Sequence, residues 1–274
     1  LELEGRTFVV TGAAGGLGAA IARLAAARGG NVVVADINTE SGEATAASIR
    51  DAGGEALFVR CDVTDAEQVA DLMAAAKERF GSLDVLVNNA GIHEAMVSED
   101  FTFETMSIET FDRVMSVNLR SVFLCSKAAL PYLKESTLGP SIVNAGSTAS
   151  FVGYPFGLAY GASKGGVAIL TKNLAVALAT HGIRVNAYCP ASTDTNMVAT
   201  VSKVIGESGL GVPANPNAAQ LGAHLVRRIG DPRDVAELVC FMASERASFV
   251  NGVTWLIDGG TLAWRDTVDA LGMS

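Results

Sequence analysis

Basic side chains are in deficit in this chain: 20 Lys and Arg stand against 29 Asp and Glu, leaving a net charge of −9. A chain of that sign repels phosphate backbones, and no basic run or basic helix face is present to offset it, so nucleic-acid binding is excluded as a function. Cysteine is sparse and scattered. Cys61, Cys125, Cys189 and Cys240 lie more than 50 positions apart at every step, with no C-x-x-C pair. Neither a metal site nor a disulfide framework is expected from that spacing, and four reduced, buried thiols suit a cytoplasmic protein. No uninterrupted apolar stretch reaches membrane-spanning length, and no leader or lipidation signal is read. Charged residues make up only 18 % of the 274 residues, while apolar residues reach 49 %. That balance excludes disorder and requires a sizeable core.

Short apolar, β-branched runs alternate with helical stretches. Strands are read at 7–11 (TFVVT), 31–35 (NVVVA), 56–60, 83–88 (LDVLVN), 141–145, 183–188 and 253–258 (VTWLID). Helices are read from the first glycines to about position 28, then over 40–52, 66–80, 108–134 and 160–181, the last closed by Gly182. Strands apolar on both faces and separated by helices predict an α/β doubly wound fold with a mainly parallel seven-stranded sheet between two helical layers. With no internal repeat and no linker between two cores, a single domain over 1–274 is the simpler organisation. The segment 193–228 breaks the rhythm with Gly206, Gly209, Gly211, Pro213, Pro216 and Gly222. It is read as an irregular substrate lid rather than a disordered insertion.

Chemistry concentrates at the strand ends. Residues 11–18 read TGAAGGLG between the first strand and first helix. Gly12 permits a tight turn, Gly16 a close backbone approach to phosphate, and Gly18 close packing of helix on sheet, with the helix N-terminus facing a pyrophosphate. No Lys-Ser/Thr follows, which excludes a nucleoside-triphosphatase loop. Asp36 ends the second strand 24 residues after Gly12. A carboxylate there accepts the ribose hydroxyls of NAD and repels a 2′-phosphate. No Arg or Lys occupies 13–17 or position 37, so NAD is expected over NADP. Asp62 follows the third strand, placed to meet the adenine amino group, and Asn89, Ala90 and Gly91 end the fourth, where small residues let backbone lie along a cofactor. Leu17, Ile37 and Val63 adjoin these positions and complete the set around the dinucleotide.

Tyr160 and Lys164 are one helical turn apart and share a face. A free phenol titrates near 10, and a neighbouring cation lowers that by about 1–3 units. Lys164 is therefore expected to bring Tyr160 into a range useful for proton transfer, with Ser147, just after the fifth strand, hydrogen-bonding the substrate oxygen.

These motifs together resemble the short-chain dehydrogenase/reductase family in its compact single-domain branch. The family's T-G-x-x-x-G-x-G stands at 11–18, its N-N-A-G at 88–91, its Ser, Tyr and Lys at Ser147, Tyr160 and Lys164, its helical Asn at Asn118, and its D-G-G at 258–260. The resemblance implies a Rossmann-type fold and an NAD-dependent oxidoreductase interconverting a secondary alcohol and a ketone. It implies Tyr160 as general acid/base, Ser147 orienting the substrate, Lys164 on the nicotinamide ribose, and Asn118 holding a water between Lys164 and solvent. Pro190, Thr193 and Thr195 would meet the nicotinamide. It also suggests a homotetramer, with the helices at 108–134 and 160–181 at one interface.

Two positions depart from the family pattern. Ala191 replaces the Gly that usually follows Pro190, which puts the turn and the Thr193 and Thr195 contacts in question. Gly146 stands where a second Ser is frequent and is expected to loosen its loop. The substrate pocket should be walled by Ile92, His93, Ala149, Tyr154, Phe156 and the lid from Met197 onward, with Ser147 and Tyr160 at the reacting carbon. These residues favour a hydrophobic substrate, a reading that Lys203 in the lid weakens. The acidic run 94–104 is expected on a solvated surface. NAD dependence favours alcohol oxidation. The alternatives are a non-catalytic NAD-binding regulatory protein on the same fold, which tends to lose the Tyr or Lys, and an epimerase or dehydratase of the longer sugar-nucleotide branch, whose glycine spacing differs.

Overall fold

The computed structural model describes residues 2–154, 156–208 and 224–264. Seven strands, β1 (Thr7–Thr11), β2 (Asn31–Asp36), β3 (Glu55–Arg60), β4 (Val85–Asn88), β5 (Ser141–Ala145), β6 (Arg184–Pro190) and β7 (Thr254–Ile257), form one sheet in the order β3-β2-β1-β4-β5-β6-β7. Every pairing is parallel. The strand order reverses between β1 and β4, which opens a crevice at their carboxyl ends where an α/β sheet binds ligands.

Alternation along each strand feeds two cores. Phe8, Val10, Val32 and Val34 point to one side, against Ile21, Ala22 and Ala25 of α1 (Gly16–Ala27), Ala46 and Ile49 of α2 (Thr39–Asp51) and Val235, Val239 and Cys240 of α8 (Pro232–Ala243). Val9, Val33 and Ala35 point to the other, against Leu72 and Met73 of α3 (Ala66–Phe80), Cys125 and Leu133 of α5 (Ser121–Glu135) and Ala175 and Leu178 of α6 (Leu158–Leu178). Burial on both faces explains why the strands read as continuous apolar runs. Alanine on α1 lets that helix sit close to the sheet.

The segment 108–134 is not one uniform helix. It comprises α4 (Ile108–Met115), a wider turn over Ser116–Arg120 and α5. The Ser121 amide reaches back to the Ser116 carbonyl, one residue further than in an α-helix, and the wide turn carries Asn118 into the interior, 1 % exposed. The irregularity expected of 193–228 is corrected in part: α7 (Asn196–Glu207) is a regular helix with Thr195 as its cap. The glycines of 193–228 drew the reading toward irregularity, yet Met197, Val198, Val201 and Ile205 carry helical spacing ahead of most of them. Residues 209–223 of the expected lid lie outside the described residues, as do 265–274. α8 has no counterpart in the sequence reading, although Asp231, Pro232 and Asp234 form a reciprocal cap with proline in its first turn.

At the amino ends of the strands, far from the crevice, buried Asp84 accepts from the Thr7 amide at 2.8 Å, from Ser82 at 2.7 Å and from Ser136. Asp84→Ala orphans those donors and should cost about 2–4 kcal/mol of stability. Chemical denaturation should show the loss, while substrate turnover at low temperature stays within about twofold of wild type.

Candidate active site

The glycine turn is built around Gly12, whose φ is +65°. A Cβ there would lie 2.7 Å from the Ala90 Cα, so only glycine lets β1 and β4 meet at this height. Asn89 fixes the junction: its Nδ2 donates to the Thr11 and Gly12 carbonyls at 2.9 and 3.0 Å, and its Oδ1 accepts from the Tyr188 hydroxyl at 2.8 Å. The Asn89 and Ala90 amides both donate to Thr11 Oγ1 at 3.1 Å. Gly15 caps α1 without a side chain, which leaves the first amides of the helix open to an anion. Gly18 packs against the turn as expected; a Cβ would fall 2.2 Å from the Gly12 carbonyl oxygen.

Asp36 braces the same turn. Oδ2 accepts from the Ala14 amide and Oδ1 from the Asn38 amide, both at 3.0 Å. Each oxygen retains a lone pair for a ribose hydroxyl. Arg60, its register partner on β3, is exposed, and no ion pair joins the two among the described residues. Ile37 is 62 % exposed beside it. Asp62 commits Oδ1 to the Thr64 amide and hydroxyl at 2.9 and 2.7 Å, and Val63 is buried in the core. A dinucleotide fits this donor set: open helix amides for its phosphates, a carboxylate for its ribose.

Around the reacting position, Ser147, Tyr160 and Lys164 converge. Ser147 hydrogen-bonds the Tyr160 phenol, and its Oγ accepts from the Ala149 amide at 3.1 Å. Lys164 Nζ donates to the Ala145 carbonyl at 2.7 Å and lies 5.6 Å from the Tyr160 ring centroid. Burial pushes the phenol above its ordinary value, and the Ser147 hydrogen bond pulls it part of the way back. Burial also lowers the Lys164 ammonium to about 8. Desolvation therefore dominates both groups. Asn118 spends its amide on the loop after β4: Oδ1 accepts from the Ile92 amide and Nδ2 donates to the Ile92 carbonyl, both at 2.8 Å, with Ser163 Oγ at 3.1 Å. Asn118 Oδ1 and Lys164 Nζ flank Gly91, where a Cβ would lie 3.4 and 3.5 Å from them.

A cavity of about 500 Å³ opens over this group. Eleven of the residues expected from sequence line it: Leu17, His93, Ser147, Ala149, Tyr154, Phe156, Tyr160, Pro190, Thr193, Thr195 and Met197, whereas Ile92, expected beside His93, does not. Val198, Val201 and Ile205 of α7, together with His224 and Thr148, complete the wall without having been singled out. The helical spacing of the three aliphatic residues was the available signal; His224 had none. No charged Lys, Arg, Asp or Glu lines the cavity among the described residues. Lys203 is exposed. His93 has both ring nitrogens engaged. Nδ1 accepts from the Ala95 amide at 3.2 Å and the other nitrogen donates to the Phe156 carbonyl. Burial lowers its pKa, so the ring is neutral and meets Tyr160 at 5.1 Å.

The family model described as enoyl-(acyl carrier protein) reductase matches residues 12–261. This chain belongs to the short-chain dehydrogenase/reductase family. It is 43 % identical to cis-4-hydroxycyclohexanecarboxylate dehydrogenase of Sinomonas cyclohexanicum, over 94 % of this chain and 97 % of that protein. It is 41 % identical to 2-(R)-hydroxypropyl-CoM dehydrogenase of Xanthobacter autotrophicus, over 94 % and 99 %. Among solved structures of the short-chain dehydrogenase/reductase family, that of levodione reductase superposes with a TM-score of 0.87 at 33 % identity, covering 96 % of this chain and 99 % of that one.

Both departures from the short-chain dehydrogenase/reductase pattern have local explanations. Ala191 has no positive φ, so glycine is not needed. The turn beyond it is held by Thr193 Oγ1 on the Ala191 carbonyl at 3.1 Å and by a bridge from Thr193 to Gly230. Gly146 does not loosen its loop. Its amide donates to the Tyr188 carbonyl at 2.8 Å, and a Cβ would sit 2.4 Å from Cys189 Sγ. The thiol fills the space a side chain would take. Gly146→Ser should therefore overpack the loop and cost about 1–3 kcal/mol, seen as a lowered Tm, and Cys189→Ala in the same chain should restore most of the loss.

Proposed function

We propose that this protein is an NAD-dependent dehydrogenase of an uncharged, ring-sized secondary alcohol, working as one catalytic domain with Tyr160 as its proton-transfer group. The observation that carries this reading is the meeting of Ser147, Tyr160 and Lys164 beneath an uncharged 500 Å³ cavity that adjoins the Asp36-braced turn. In oxidation the Tyr160 phenolate takes the hydroxyl proton while Ser147 holds the same oxygen. The Gly12–Gly16 turn and Asp36 would hold NAD, which would supply the hydride acceptor. Lys164 would bind the nicotinamide ribose and offset the phenolate. Asn118 clamps the 91–92 backbone, and the second lone pair of its Oδ1 suits it to hold a water on the proton path. The apolar wall of α7 excludes bulk water from the reacting carbon.

The relative from Sinomonas acts on a hydroxylated cyclohexane bearing a carboxylate. A cyclohexane ring suits this cavity in size, but its lining offers no Lys or Arg for a carboxylate. Neutral cyclohexanols should therefore be oxidised with kcat/KM about tenfold or more above cis-4-hydroxycyclohexanecarboxylate; the reverse order would refute the uncharged-substrate reading. Because the phenol is held above its ordinary pKa, it is protonated at neutral pH. Oxidation should accelerate as pH rises through that pKa, and reduction should slow. Tyr160→Phe should lower kcat on the order of 10²–10⁴-fold with NADH binding intact. Binding of NADH with no turnover by the wild-type protein would favour the regulatory alternative.

Asp36→Ala should raise the KM for NAD about tenfold and narrow the preference over NADP. An unchanged cofactor ratio would remove Asp36 from the ribose. The four cysteines are free and buried, which supports a reducing, cytoplasmic setting; no helix among the described residues is long and apolar enough to cross a membrane. Exposed Ile108, Phe123, Ile169 and Val176 on α4, α5 and α6 support the homotetramer.

A further inference from the structure

Glu94 departs from the solvated surface expected of the run 94–104. Its side chain has no exposed area, whereas Glu99, Asp100 and Glu104 are exposed. Both of its oxygens are committed to the start of α6: Oε1 accepts from the Ala159 amide and Oε2 from the Tyr160 amide, each at 3.1 Å. The helix has no cap of its own, because Gly157 at the cap position offers no side chain. A carboxylate from the loop after β4 takes that place. The free amides and the positive end of the helix offset the cost of burying its charge. One of the two amides it grips belongs to Tyr160.

We propose that Glu94 is a positioning residue for the reaction: it locks the first turn of α6 to the loop after β4, sets the Tyr160 phenol between Ser147 and His93, and opposes the phenolate with its own negative charge. The inference rests on Tyr160 being the proton-transfer group. A cap in the local sequence would fix the helix start as well, but it would not couple that start to the loop carrying Gly91, Ile92 and His93.

The other titratable groups around the pair are few. Lys164 faces the phenol from α6, Tyr188 and Cys189 from β6, Tyr154 from the loop before α6, and His93 from the Glu94 turn itself. His93 Nδ1 lies 3.6 Å from Glu94 Oε2, but burial keeps that ring neutral. α4 and α7 pack on the turn, and their charged residues, Glu109, Asp112, Arg113, Lys203 and Glu207, are all exposed. Burial is the main reason the phenol is raised, with Glu94 among the groups that add to it.

The test uses Glu94→Gln, which keeps the shape, and Glu94→Ala, which removes the cap. Amide exchange at Ala159 and Tyr160 should quicken about tenfold or more in the Ala variant, against unchanged exchange in β1 and β4. In the Gln variant, the acid limb of kcat/KM for cyclohexanol oxidation should move to lower pH, with kcat reduced and the KM for NAD within about twofold of wild type. Unchanged exchange, or an unmoved acid limb in a folded Gln variant, would overturn the proposal. Wild-type protein that oxidises no cyclohexanol would instead count against the proposed function. The Tyr160 titration is then followed by ¹³C NMR of labelled tyrosine, assigned with Tyr160→Phe. A midpoint that does not fall in Glu94→Gln overturns the positioning role.

Discussion

The side-chain amide of Asn89 joins three strand ends that would otherwise be independent. Its nitrogen holds the two carbonyls at the end of β1, its oxygen holds the hydroxyl of a fully buried tyrosine on β6, and its own chain is the end of β4. A parallel sheet leaves its carboxyl edge with unpaired backbone groups, and that edge is where loops must carry the chemistry. Tying β1, β4 and β6 there sets the glycine turn, the 89–92 backbone and the floor of the cavity in one frame. Groups contributed by segments as distant in sequence as Gly12 and Lys164 then hold a common geometry.

Within that frame the dominant electrostatic term is loss of water. Tyr160, Lys164 and His93 are all moved toward their neutral forms by burial. Each keeps a specific hydrogen-bond partner: Ser147 for the phenol, the Ala145 carbonyl for the ammonium, the Ala95 amide and the Phe156 backbone for the imidazole. A reactive group kept dry but hydrogen-bonded responds strongly to any charge placed next to it, because little solvent screens the interaction. The same dryness extends to the cavity, which no Lys, Arg, Asp or Glu lines among the described residues.

Much of this was legible in the residues. β1 and β5 have the boundaries read from their apolar runs, and α3 those read from its periodicity, because local pattern and burial agree there. The motif residues Ser147, Tyr160 and Lys164 meet as their order implied. Three features were hidden, each for a physical reason. Glu94 looks like the head of an acidic surface run, and only the approach of α6 buries it. Gly146 looks like a loosened loop, and only the neighbouring β6 shows that the Cys189 thiol occupies the vacant space. α7 was obscured by the glycines that follow it.

The linear chain alone determined the layer order, the succession of the seven strands and the motif residues gathered at their carboxyl ends, because periodicity, glycine placement and motif spacing are local properties. The folded arrangement decided what surrounds those groups. Desolvation and long-range caps depend on residues separated by dozens of positions, such as Glu94 on the amides of Ala159 and Tyr160, and no local pattern encodes which distant segment will exclude the water.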